Sequence, residues 1–205
     1  MLSVWNSGGA ARARRQVDKG ILTDDIALVR KILDQHPEAA VLRDKSDGAT
    51  ALHVAAENDR ADITALLIAA GADINAETNI GWTPLHRAVD MNNPAIAKLL
   101  ISRGADVNAP GQGNTPLHRA AFAGNVQVLT ILLEANANLH ARGTEGWTAL
   151  FFACCGGHAG AVELLISKGA KTTDTDAVGR TPLDVATTKG HADVAELLRR
   201  AATAE

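Results

Sequence analysis

Tyrosine is absent from this 205-residue chain, and aromatic residues make up only 3% of it. That scarcity disfavours a β-sandwich or barrel, because strands are rich in aromatic and β-branched residues. Cysteine occurs only as the adjacent pair Cys154 and Cys155, and the chain has no Asn-X-Ser/Thr sequon. A secreted disulfide scaffold is therefore disfavoured. The expected setting is a reducing compartment, the cytoplasm, with the nucleus or the mitochondrion as alternatives. Apolar runs such as residues 65–72 fall far short of the roughly 20 residues a membrane span needs, so no membrane insertion is expected. The formal charge of −3 is small and mixed in sign, which leaves no electrostatic footprint for nucleic acid.

Hydrophobic residues, by contrast, make up 46% of the chain, enough for a core of Ala, Leu, Ile and Val in closely packed helices. Residues 1–17 hold Arg12, Arg14 and Arg15 without an acid. This composition resembles a mitochondrial transit peptide. Its alternative is the opening of a capping helix that carries Ala10, Ala11 and Ala13.

One tetrapeptide organises the rest. It reads Thr50-Ala51-Leu52-His53, Thr83-Pro84-Leu85-His86, Thr115-Pro116-Leu117-His118, Thr148-Ala149-Leu150-Phe151 and Thr181-Pro182-Leu183-Asp184. The steps between its threonines are 33, 32, 33 and 33 residues. Such a period marks a solenoid whose units stack because none can bury its apolar face alone. In the best-formed unit Gly81 suits a turn, Thr83 is a favoured N-cap, and Pro84 sits where its missing N–H costs nothing. A short helix follows until Asn92 and Asn93. A second begins at Pro94, buries Ile96, Leu99, Leu100 and Ile101, and closes at Gly104. The histidines are expected to bond the capping threonine and backbone. Helices spaced by roughly 10 Å keep His53, His86 and His118 from sharing one metal.

Gly-X-Thr-Pro-Leu-His-X-Ala, followed by Leu-Leu-Ile-X-X-Gly-Ala-Asp-X-Asn-Ala, resembles the ankyrin repeat. The match runs over residues 44–201, with closing motifs at Gly71-Ala72-Asp73-Ile74-Asn75-Ala76 and Gly104-Ala105-Asp106-Val107-Asn108-Ala109. The resemblance implies an all-α repeat solenoid in which helix pairs and loops stack into a curved array, as one continuous domain. Its units are expected at residues 1–46 (an arm and a degenerate cap with a helix over 25–34), 47–79, 80–111, 112–144, 145–177 and 178–205. Departures from the pattern carry expectations too. Asn136 stands in for the closing glycine, and Pro110-Gly111-Gln112-Gly113, one residue short, predicts a tighter tip. Phe151 replaces a polar contact by packing, and Arg199 and Arg200 give the last helix the polar face of a cap.

No catalytic constellation emerges from these residues. Cys154 falls at a packed position and Cys155 on the variable face of a short helix, and the Gly111–Gly113 stretch lacks the pattern of a phosphate loop. The chain is expected not to be an enzyme and to need neither cofactor nor metal. A monomer that binds a partner protein is expected instead. The resemblance puts turn tips and short helices on a concave groove. Information then lies at the positions that vary: Glu57, Ile80, Trp82, Asp90, Met91, Asn114, Phe122, Trp147, Cys155 and Arg180. Phe122 with Trp82 and Trp147 makes the centre of this set apolar, the composition of an interaction hot spot. Glycine-Trp-Thr is also a common structural variant in such repeats, so both roles stay open for the two tryptophans. A scaffold or adaptor is the leading reading. A regulatory subunit that masks a site on an enzyme or transcription factor is the alternative.

Overall fold

Helices begin where the threonines predict them. In the computed structural model, which describes residues 7–203, twelve α-helices and two 3-10 turns (Pro37–Ala40 and Thr144–Gly146) form the regular structure. Among the described residues there is no strand, only an isolated bridge between Gly111 and Asn114. The chain falls into two compact units that join in sequence between Ala105 and Asp106.

The first unit holds three helix pairs: α1 (Ser7–Leu22) with α2 (Ile26–Gln35), α3 (Ala51–Glu57) with α4 (Ala61–Ala69), and α5 (Pro84–Asp90) with α6 (Pro94–Ser102). The leading helices α1, α3 and α5 pack in succession on one another, as do α2, α4 and α6. In the second unit α7 (Pro116–Ala123), α9 (Ala149–Gly156) and α11 (Pro182–Lys189) form one layer. Its other layer is α8 (Val126–Glu134), α10 (Ala159–Ser167) and α12 (Ala192–Ala202). Leu52, Ile63, Leu67, Leu85, Ile96 and Leu100 are fully buried in the first unit, and Leu117, Leu129, Leu132 and Leu150 in the second. Each such side chain contributes about 1.5–3 kcal/mol through burial, which is how helices of seven to nine residues persist when they would melt alone.

The basic opening is helical from Ser7 onward, and residues 1–6 of that expectation lie outside the described residues. Ala13, Val17 and Ile21 recur at i, i+4 and i+8 on the buried stripe of α1. Gly20 lets α2 approach closely: a Cβ there would come within 2.6 Å of Val29 Cγ2. Asp25 caps α2 by accepting from the Leu28 N–H at 2.9 Å. The loop between helices repeats one left-handed residue, with φ of 57° at Asp24, 56° at Asp59, 55° at Asn92 and 71–80° at Gly124, Gly157 and Gly190. Asp, Asn and Gly are the residues that tolerate this conformation best. Asn136, at φ 64°, substitutes for the closing glycine on the same ground.

The shortened tip is indeed tighter. Gly111 and Asn114 exchange both backbone hydrogen bonds at 3.0 Å around Gln112 (φ 50°) and Gly113 (φ 75°). Two positive φ values define a two-residue type I′ hairpin. At Thr78–Trp82 and Asp176–Arg180 the extra residue gives a wider turn with a single left-handed glycine. Ile80 and Val178, β-branched and bulky, could not adopt positive φ there without strain.

Candidate functional site

The repeated histidines set the frame on which any surface is displayed. The Thr50 N–H donates to His53 Nδ1 (3.1 Å), which leaves the ring proton on Nε2. Nε2 then donates to the Trp82 carbonyl of the next repeat at 2.9 Å. Burial pushes the His53 pKa down to about 4, outweighing the carbonyl that favours its charged form, so the ring is neutral. In the second unit His118 repeats the arrangement, taking the Thr115 N–H at 3.0 Å and reaching the Ala141 carbonyl at 2.9 Å. Burial lowers its pKa as well, against the pull of that carbonyl. Phe151, fully buried, replaces this polar link by stacking on Trp147, 6.0 Å between ring centres. Asp184 serves the opposite way. Its Oδ2 accepts from both the Thr181 N–H (2.8 Å) and the Thr181 hydroxyl (2.7 Å) in a capping box.

A second set of pins joins the repeats and is not evident in the motif. After four of the left-handed loop positions the next residue reaches back to the leading helix of the preceding pair. Arg60 Nε donates to the Ile21 carbonyl (3.1 Å), and Asn93 Nδ2 to those of Ala56 (2.9 Å) and Glu57 (3.2 Å). In the second unit His158 Nε2 lies 2.9 Å from the Phe122 carbonyl and His191 Nε2 3.0 Å from that of Cys155. The His158 ring occupies the space a Cβ on Gly124 would need, and His191 does the same over Gly157, each at 2.5 Å. Arginine, asparagine and histidine share a donor but no shape, so no single motif letter signals this role.

Of the candidates in the first unit, Ile80 at a turn tip and Met91 at the end of α5 are each 45% exposed. Glu57 Oε2 pairs with Arg87 Nη1 at 3.5 Å, and Arg87 Nη2 also meets Asp47 Oδ2 at 3.3 Å. Asp90 is half-buried. Trp82 is only 8% exposed: Arg87 lies over its ring at 5.3 Å, and His86 stacks against it at 6.1 Å.

In the second unit the aromatic residues converge. Phe122 is 48% exposed and meets Phe152 edge-on at 6.4 Å. Phe152 in turn touches Trp147 and His118, each at 5.3 Å. A shallow cavity of about 120 Å³ opens between Phe122, Phe152, His118, Arg119 and Asn114. Asn114 Oδ1 accepts from the Thr144 N–H at 3.1 Å, which ties this tip to the next. Trp147, half-buried, donates through Nε1 to Asp176 Oδ2 (3.2 Å), and Arg180 lies 5.9 Å from its ring centre. Asp176 also takes the Arg180 Nε (2.7 Å) and the backbone N–H groups of Val178 and Arg180. Burial raises its pKa, but these hydrogen bonds win and hold it near 2. Cys155 is half-buried, while burial and the adjacent Cys155 push the Cys154 thiol up to about 12, far from a reactive thiolate.

Phe152 and Arg119 belong to this cluster and were not among the sequence candidates. The signal was there: they occupy the position after the fourth motif residue, where Val54, Arg87, Arg119, Phe152 and Val185 show three residue types across five repeats.

Capped helix pairs at a fixed period, pinned carbonyl to side chain, define a helical repeat protein. The family model described as "Ankyrin repeats (3 copies)" matches residues 21–111 and 117–205, and "Ankyrin repeats (many copies)" matches 91–133. The chain belongs to the ankyrin repeat family. No curated protein matches it. Ankyrin repeats are generally protein–protein interaction modules and typically non-enzymatic. Among the described residues, no helix is long and apolar enough to cross a membrane.

Proposed function

We propose that this chain is a binding scaffold that holds a partner protein on the surface made by its turn tips and short-helix ends. The observation that carries this reading is Phe122, a large apolar ring nearly half exposed beside an open cavity and backed by Phe152. Aromatic anchors next to pockets dominate interface energetics. Ile80 and Met91 supply exposed apolar contacts in the first unit. Glu57, Asp90, Asn114, Cys155 and Arg180 form the polar surround in their respective units. Trp82 and Trp147 act from beneath, holding Arg87 and Arg180 over their faces.

The mechanism is display on a rigid frame, so little side-chain entropy is lost on association. Full-length wild type and the Phe122→Ala/Ile80→Ser/Met91→Ser variant, each tagged, are to be compared by their co-purifying proteins from the source cell. A protein held by the first and lost by the second supports the proposed surface. Identical sets with unchanged helical signal move the binding site elsewhere.

A further inference from the structure

The shallow cavity beside Phe122 lies wholly within the second unit, and the fold fixes most of its wall. His118 Nδ1 takes the Thr115 N–H, and its Nε2 donates to the Ala141 carbonyl. Asn114 Oδ1 is tied to the Thr144 N–H. Phe152 is held by ring contacts with Trp147 and His118, each at 5.3 Å. The Phe122 ring is exposed, but its backbone is pinned, since His158 Nε2 bonds its carbonyl at 2.9 Å. Its ring stands at 88° to that of Phe152, a favourable edge-on pairing that leaves the corner between them open.

Charge and size together narrow what such a corner can hold. Of the described residues that line it, only Arg119 is charged, because burial keeps His118 neutral. Aromatic faces attract cations, yet a lysine or arginine would enter beside a guanidinium with no carboxylate in the wall. A carboxylate would lose its hydration against two phenyl rings. At about 120 Å³ the cavity is far smaller than the roughly 300–1,000 Å³ that organic ligands fill. It has room for about four waters at roughly 30 Å³ each. An aliphatic side chain with that number of heavy atoms, leucine or methionine, fills it, whereas a phenyl or indole ring exceeds it.

We propose that this cavity is the anchor pocket for one aliphatic side chain, leucine or methionine, of a polypeptide partner. The assignment rests on the binding surface proposed above and adds the chemistry of the group that is held. The aliphatic group covers ring surface of Phe122 and Phe152 that water now wets, and a methionine sulfur adds contacts at the ring edges. Because the wall is already in place, little side-chain freedom is lost when the pocket fills.

The test is NMR of the full chain, read at the ring signals of Phe122, Phe152 and His118. The probes are capped peptides Ac-Gly-Xaa-Gly-amide in which Xaa is Leu, Met, Phe, Lys or Ala. The Leu and Met peptides should reach half-saturation at concentrations lower by about fivefold or more than the other three. Phe122→Ala, a change at an exposed ring, should remove that preference at the Phe152 signals and leave the thermal melt unchanged. An equal response to all five probes, no response, or a preference for Phe or Lys overturns the proposal, as does a preference that survives in Phe122→Ala. If Phe122→Ala loses a co-purifying partner while the probes show no aliphatic preference, the aliphatic assignment falls and the binding surface stands. An aliphatic preference with the same partners retained by Phe122→Ala overturns instead the binding surface on which the assignment rests.

Discussion

At the scale of single residues, a neutral buried histidine does more than close a helix. His53 accepts from Thr50 and donates to the Trp82 carbonyl, so it must stay uncharged to serve both. Its folded pKa of about 4 lies below the ordinary 6.5. As pH falls through 6.5 the unfolded chain takes the proton first, and stability drops until the folded form is protonated too. The expected loss is about 3 kcal/mol between pH 6.5 and about 4, with full stability above that window. His118, shifted the same way, adds to the slope. Urea unfolding at a series of pH values measures this fall, and His53→Phe, which copies the natural Phe151, should flatten it. An unchanged slope in that variant would assign the pH dependence to other groups. His53→Ala, which strands the Thr50 N–H and the Trp82 carbonyl, should cost about 2–4 kcal/mol near neutral pH.

At the scale of elements, the loops between helices explain why the same position is Asp or Asn in the first unit and Gly in the second. The left-handed conformation alone admits all three residues. Gly124 and Gly157, however, also seat the rings of His158 and His191, and there a Cβ has no room. Gly190 shares the conformation, at φ 80°, but has nothing within 4 Å of an added Cβ. Gly190→Ala should therefore cost about 1 kcal/mol from backbone strain alone. Gly157→Ala should cost about 1–3 kcal/mol more, because it displaces the His191 ring. Chemical denaturation of the two variants separates the terms, and equal losses would mean that the seat is unimportant. At the shortened tip Gln112 holds φ 50° in a turn that prefers Asn-Gly. Gln112→Asn should raise stability by about 0.5–1 kcal/mol, read from the same denaturation curves.

At the scale of the molecule, much of the architecture was legible because it repeats. Five threonines at a period near 33 residues fixed the helix starts, and the left-handed role of Asn136, the tight tip at Gln112 and the packing of Phe151 followed from local chemistry. The N-terminal pair α1 and α2 was visible only as a degenerate cap. A buried Arg14 with unmet N–H groups leaves no mark in a sequence whose arginines are mostly solvated. The candidate surface was partly legible. Phe122 is exposed, yet the burial of Trp82 depends on where Arg87 comes to rest, which side-chain spacing does not set. Phe152 lies one residue past the motif, which ends at Phe151, so the repeat pattern does not mark it. The central proposal is that Phe122 and its cavity form an interaction hot spot. The most direct measurement is the dissociation constant of the co-purified partner for wild type and for the single variant Phe122→Ala. Phe122→Ala should weaken binding by about 30-fold or more, the equivalent of 2 kcal/mol at a hot spot, with an unchanged thermal melt. An affinity equal to that of the wild type would contradict it.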